Sequence, residues 1–298
     1  YYTAGDYTSA SGLAEANTLY YKVVTGDWAT GKNENNKTTY KTLVNLEGGL
    51  IGHSLQGSYG SYTDFDYKGG DVYGGGLGRL GSDTETAVEA IVYGDIEVKV
   101  VGTAFIQRLL SPSSTENQVP LSGRVFGCNN LNGTPKGNVT VNVYKTIPVV
   151  NGAIGTNHDE NRFEIHSVYG GGNMASYMPA NGKKSKVNIY GCEETYIEKV
   201  FGGGNSASVP ATDVEIFGTG YVGYAFGGGN GADKIWSNGV WNKNGGAPIY
   251  GDASIIAHGG KIGQVFSGSD TKGTVYGSAT VKLAGKDAGV AASTCPLK

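Results

Sequence analysis

The chain has 298 residues and a formal net charge of −3, with 51 Gly, 20 Tyr, only 2 Met and 16% charged residues. Moderate hydrophobicity with little net charge excludes disorder, and the glycines do not recur every third residue as collagen requires. Scattered charges of both signs exclude the clustered Lys/Arg face of a nucleic-acid binder, and no apolar run reaches the roughly 18 residues of a membrane-spanning helix.

Residues 1–70 are rich in Tyr and Thr. They carry two strand-like runs, Leu19-Tyr20-Tyr21-Lys22-Val23-Val24 and Tyr40-Lys41-Thr42-Leu43-Val44. The segment is expected to cap the first coil of a repeat array, to form irregular early coils, or to dock on a neighbouring molecule. The chain begins at Tyr1 without Met, as expected of a processed product or a piece of something longer.

From residue 71 to residue 285 one phrase recurs: an apolar residue, an aromatic, then glycines and often Asn. It appears as Val72-Tyr73-Gly74-Gly75-Gly76, Val125-Phe126-Gly127-Cys128-Asn129, Val168-Tyr169-Gly170-Gly171-Gly172-Asn173 and Val200-Phe201-Gly202-Gly203-Gly204-Asn205. Two more are Ala225-Phe226-Gly227-Gly228-Gly229-Asn230 and the decayed Val265-Phe266-Ser267-Gly268-Ser269-Asp270. The intervals between them are 53, 43, 32, 25 and 40 residues. A second phrase alternates apolar and polar residues before a Gly, as in Ile96-Glu97-Val98-Lys99-Val100, Val139-Thr140-Val141-Asn142-Val143, Val187-Asn188-Ile189-Tyr190-Gly191, Val214-Glu215-Ile216-Phe217-Gly218 and Val281-Lys282-Leu283. Period two marks strands with one buried face. A short third phrase leads into the next glycines: Ile197-Glu198-Lys199, Val222-Gly223-Tyr224, Ile262-Gly263-Gln264. Longer intervals read as the same unit with a longer loop, and Gly231 to Gly246 reads as an insertion carrying Trp236 and Trp241. The best helical candidate is the short stretch Asp83–Ala90. Residues 286–298 are an Ala/Gly-rich tail without clear pattern.

Such strands are too short to bury a face alone, so the units must stack to make a continuous core. Stacking predicts a column of Tyr73, Phe126, Tyr169, Phe201, Phe226 and Phe266. It also predicts an amide ladder through Asn173, Asn205 and Asn230. The glycines are expected to supply positive φ at sharp corners. The expected fold is all-β, a right-handed parallel β-helix (β-solenoid) with irregular loops.

These phrases resemble the Gly-Gly-Gly-Asn repeat proteins of Bacteroidetes cell surfaces, over roughly residues 71–285. The resemblance implies a secreted right-handed parallel β-helix with adhesive or structural roles, and it implies no catalytic residues. The sequence departs from the pattern at Cys128 and in the decayed phrase around Val265.

Phosphate loops need Gly-Lys-Ser/Thr and a following helix, whereas Asn and strands follow here. The calcium-binding G-G-x-G-x-D register fails at Gly75-Gly76-Leu77-Gly78-Arg79-Leu80, so no metal is expected. Asp159-Glu160 and Glu193-Glu194 read as solvated charge, and so does the basic run Gly182-Lys183-Lys184-Ser185-Lys186. Arg79, Arg108, Arg124 and Arg162 join no acid cluster in sequence, and His53, His158, His166 and His258 read as surface residues. Cys128 and Cys192 read as buried small hydrophobes, while Cys295 in the tail is a candidate cross-link. Asn36-Lys37-Thr38, Asn132-Gly133-Thr134 and Asn138-Val139-Thr140 match the glycosylation sequon, a common chance match.

The expectation is a structural or adhesive protein, extracellular or on a cell surface, without enzymatic activity or cofactor. Its partners are expected to be copies of itself, because solenoid ends leave backbone groups unpaired. The alternative is a carbohydrate-binding module or polysaccharide lyase on a β-helix, with Trp236, Trp241, Tyr221 and Tyr224 stacking on glycans.

Overall fold

The computed structural model describes residues 41–52, 70–105, 123–150, 153–159, 161–179, 182–231, 234–237, 240–243 and 246–283. Among them are nineteen strands and no helix. In chain order these begin with β1 (Lys41–Leu46), β2 (Leu50–Ile51), β3 (Asp71–Tyr73), β4 (Asp95–Val100), β5 (Ala104–Phe105), β6 (Arg124–Phe126) and β7 (Val139–Val143). Next come β8 (Val149–Val150), β9 (Ala153–Ile154), β10 (Ile165–Tyr169), β11 (Ser185–Ile189), β12 (Tyr196–Phe201) and β13 (Thr212–Ile216). The last are β14 (Tyr221–Phe226), β15 (Lys234–Ser237), β16 (Val240–Lys243), β17 (Ala253–Ala257), β18 (Ile262–Phe266) and β19 (Ala279–Leu283).

Two parallel sheets take most of them. One has seven strands in the order β1-β4-β7-β11-β13-β17-β19, the other six in the order β18-β14-β12-β10-β6-β3. Every pairing within these two sheets is parallel. Strand order follows chain order in both. Each pass of the chain therefore crosses the six-stranded sheet, turns at the glycine phrase, returns through the seven-stranded sheet, and lies on the pass before it. This stacking is compatible with a β-solenoid. The strands β1 and β2 show that part of the segment before residue 71 already joins the stack: β1 pairs with β4, and β2 with β5.

The core lies along the stack. From the seven-stranded sheet it takes Val98, Val141, Val187, Val214 and Ile255, and from the six-stranded sheet Val72, Val125, Val168, Val200 and Ala225. Burying an aliphatic side chain of this kind contributes about 1.5–3 kcal/mol. The alternating phrases provide these columns because a period of two puts every second residue on one face. Strand β17 belongs to the same set. Its Ala253, Ile255 and Ala257 are buried, although the adjacent Ile255 and Ile256 blur the apolar/polar alternation in its sequence.

Two details differ from expectation. The third phrase is not a separate strand: Ile197-Glu198-Lys199 runs straight into Val200-Phe201 as β12. Both Ile197 and Val200 face the core, three residues apart, as do Val222 and Ala225. The strand must therefore kink between them, and the register skips His166/Glu198, Glu198/Gly223 and Gly223/Gly263 at that point. Second, Asp83–Ala90 is not helical. Arg79 and Val88 form an antiparallel bridge, and the Ser82 hydroxyl accepts hydrogen bonds from the N–H groups of Thr84 and Glu85. Such a side-chain turn competes with the helical ladder for those donors.

The insertion in the fifth unit is a β-hairpin, β15 with β16, in which Trp236 pairs with Trp241 in register. It leaves and rejoins the stack at one place. A Cβ on Gly231 or on Gly246 would collide with the carbonyl oxygen of Lys272 in either case, and both glycines have positive φ.

Candidate functional site

The glycine phrases build the tightest contacts along the stack. None of Gly74–Gly76, Gly170–Gly172, Gly202–Gly204 or Gly227–Gly229 is among the glycines with positive φ, contrary to expectation. They are required by close approach instead. A Cβ on Gly74, Gly127, Gly170, Gly202 or Gly227 would lie no more than 2.5 Å from a carbonyl oxygen of the neighbouring pass, at Gly127, Gly170, Gly202, Gly227 and Ser267 in turn. At Gly203 a side chain would also strike Ile249 of the core.

Behind the glycines the amide ladder forms as expected. Asn173 Nδ2 donates to Asn130 Oδ1 at 2.9 Å, Asn205 Nδ2 to Asn173 Oδ1 at 2.8 Å, and Asn230 Nδ2 to Asn205 Oδ1 at 2.7 Å. The member in the second unit is Asn130, not Asn129. Asn129 instead fills the space above Gly75 and accepts a hydrogen bond from the N–H of Gly76 at 3.0 Å. In the last unit the ladder position is Asp270, whose carboxylate turns to Lys199 Nζ at 2.8 Å.

The predicted aromatic column is continuous. Tyr73, Phe126, Tyr169, Phe201, Phe226 and Phe266 stack with centroid spacings of 4.8, 4.6, 4.8, 5.0 and 5.0 Å. A second column, not foreseen, runs Tyr144, Tyr190, Phe217 and His258 at 4.8, 4.8 and 4.7 Å. Its signal in the sequence is the aromatic that comes straight after the alternating residues of the second phrase, at Tyr144, Tyr190 and Phe217. Interior rings in both columns have both faces covered by neighbours, which leaves no free face there for a sugar.

The polar groups are mostly engaged with each other. Arg124 grips Asp71 with both Nε and Nη2, the shortest contact being 2.6 Å, although the two are far apart in sequence. Burial opposes the Arg124 charge, but the adjacent carboxylate outweighs it and raises its pKa. His166 and His258 are buried, not surface residues. His166 lies on the kinked strand β10 and faces Glu198 at 3.5 Å. Burial first, then the Arg124 and Lys199 cations, lower its pKa to about 3. His258 ends the second ring column with Nε2 3.2 Å from Glu215. His158 Nδ1 lies 2.7 Å from the buried carboxylate of Glu164, which also accepts from Thr146 Oγ1.

The basic run is only partly a loop, because Ser185 and Lys186 open β11 and Lys186 pairs with Glu215 at 3.0 Å. Glu194 pairs with Lys145, and Asp159 with Arg162. Cys128 is buried, which pushes its thiol pKa up, while Cys192 is half-buried. Leu19–Val24, Asn36–Thr38, His53, Arg108, Glu160 and Cys295 lie outside the described residues. Among the described residues no cluster of three or more His, Cys, Asp or Glu is arranged to hold a metal, and no helix is long and apolar enough to cross a membrane.

Of the four candidate glycan-stacking residues, Tyr221 and Tyr224 share strand β14, and Trp236 and Trp241 share the inserted hairpin. Tyr221 stacks on Phe163 at 5.5 Å and lies under Lys261, whereas Tyr224 stacks on Phe226 at 6.5 Å and lies under Lys199. Trp236 and Trp241 are paired in the inserted hairpin.

The most distinctive surface is the last pass. Strand β19 continues the core columns of the seven-stranded sheet through Val281 and Leu283, yet these are 38% and 61% exposed. Phe266 ends the aromatic column at 41% exposed. Among the described residues nothing pairs with the outer edges of β18 and β19. No protein-family model matches the chain, and neither a curated protein nor a solved structure matches it.

Proposed function

We propose that the chain is a right-handed parallel β-solenoid of about six irregular units that serves as a structural or adhesive protein outside the cell, and that copies of it join end to end into a surface fibre. The observation that carries this reading is the last pass, where residues in core register stand open to solvent. Apolar columns and unpaired strand edges at a solenoid end favour pairing with another chain. Right-handedness follows the strong preference of parallel β crossovers for that hand. The ladders support a mechanical role, since amide and ring columns tie each pass to the next along the axis. The resemblance to the Gly-Gly-Gly-Asn surface proteins points the same way.

Electron microscopy of native material tests the proposal. Long regular fibres, with a meridional reflection near ~4.8 Å from aligned samples, are the expected result. Uniform short rods at every concentration would rule out the fibre. Exposure on the cell surface is checked separately, by whether protease added to intact source cells degrades the protein.

A further inference from the structure

The seven-stranded sheet ends in β1 on one side and β19 on the other. We infer that copies join head to tail, with the β19 edge of one copy pairing in parallel with the β1 edge of the next, so that Val281 lies over Val44 and Leu283 over Leu46. This rests on the fibre reading above and specifies its joint.

The register follows from the stack itself. Val281 pairs with Ile255, Ile255 with Val214, Val214 with Val187, Val187 with Val141, Val141 with Val98, and Val98 with Val44. One more step of the same translation carries Val281 of one copy onto Val44 of another. The neighbouring columns match as well: Leu283 meets Leu46, and Ala279 meets Thr42, a small residue meeting a small one as Ala253 meets Thr212 inside the molecule. Val44 and Leu46 are half-buried, pack against the core, and stand in the columns that end in Val281 and Leu283. Both ends thus hold apolar surface in the register of the core.

Direction is set by three features. Every interior strand has a parallel neighbour on each side, so the outer edges of β1 and β19 are complementary halves of a pairing the molecule already makes repeatedly. Two β19 edges related by a two-fold axis would have to pair antiparallel. The amide ladder is also polar, since Asn173, Asn205 and Asn230 each donate toward the earlier pass, and only a head-to-tail joint keeps that direction along a fibre. A heterologous contact of this kind does not close on itself and therefore propagates.

Cross-linking tests the joint. Asn45 and Lys282 are exposed, stand in equivalent register columns, and would be direct neighbours across it. Adjacent strands bring Cα atoms to roughly 5 Å, within the range that a disulfide spans. In a Cys192→Ser, Cys295→Ser background, Asn45→Cys with Lys282→Cys is expected to give a ladder of covalent oligomers on mild oxidation. Each single variant is expected to stay monomeric on a non-reducing gel. A covalent dimer from Lys282→Cys alone, or from Asn45→Cys alone, would show a two-fold joint and overturn the head-to-tail assignment. Fibres by electron microscopy without any cross-link in the double variant would place the joint elsewhere and overturn it too. Both results leave the fibre reading standing. Absence of assembly by either method overturns that reading and the joint with it.

Discussion

Glycine at Gly202 is demanded by a neighbour and not by its own backbone. Its missing Cβ is the space that the Gly227 carbonyl oxygen and the Thr212 side chain occupy. Overpacking of this kind costs about 1–3 kcal/mol, so Gly202→Ala should lower the thermal midpoint clearly. Gly268 offers a control: nothing lies within 4 Å of its Cβ position, and Gly268→Ala should stay within about 0.5 kcal/mol of the parent. His166 gives a pH dependence at the same scale. Unfolded, it binds a proton near its ordinary 6.5, while folded it stays neutral down to about 3. The unfolded state therefore holds more protons in that window, and stability contributed above it is lost as pH falls through it. The groups around it are Arg124, Lys199, Glu198 and Ser167. Glu198 acts in the opposite sense, because burial raises its carboxyl pKa while Lys199 lowers it. His166→Gln should consequently flatten the loss of stability between about pH 6.5 and about 3 in equilibrium denaturation. An unchanged acid limb would show that other groups dominate.

The amide ladder acts as an element in its own right. Asn205 donates to Asn173, accepts from Asn230, and accepts from the Tyr169 hydroxyl at 3.4 Å. Asn205→Leu would leave one acceptor, Asn173 Oδ1, and two donors, Asn230 Nδ2 and the Tyr169 hydroxyl, unmade, at about 1–3 kcal/mol for each buried group. Asn230, at the end of the ladder and only half-buried, has one ladder neighbour fewer, so Asn230→Leu should cost less. Chemical denaturation of the two variants checks the order, and equal losses would mean that the bonds Asn205 makes beyond the one it shares with Asn230 contribute nothing to stability. The kink between Ile197 and Val200 is a second element-scale device. It turns Glu198 and Lys199 away from the core without breaking the strand, and Gly223 and Gly263 sit at the equivalent place because a Cβ there would meet the carbonyl oxygens of Glu198 and Gly223 at 2.7 and 2.6 Å.

For the whole molecule, the open last pass is where stability and assembly separate. Val281 and Leu283 are too exposed to hold the monomer together strongly, yet they lie in the core register. Val281→Lys with Leu283→Lys should abolish assembly in sedimentation velocity while shifting the monomer's thermal midpoint little. A large loss of monomer stability would instead mean that this end is held by its own chain. Each pass contacts chiefly its neighbours, so stability should accumulate pass by pass as in other repeat proteins.

Sequence periodicity alone determined the all-β class, the strand phrases, the ring column from Tyr73 to Phe266 and the Asn173–Asn205–Asn230 ladder. These features repeat in register, and stacking turns a repeat along the chain into a column in space. Tertiary structure alone decided the rest. Why the glycines are glycine depends on a carbonyl oxygen one pass away. Arg124 finds Asp71 only because β3 and β6 are adjacent, and no local pattern marks that pair. The burial of His166 and His258 comes from the strands they lie on, since a histidine has no hydropathy strong enough to announce which face it takes. The open end is likewise a property of the stack: Val281-Lys282-Leu283 reads like every other alternating phrase, yet Val281 and Leu283 stand exposed at the last pass while their counterparts in the interior passes are buried.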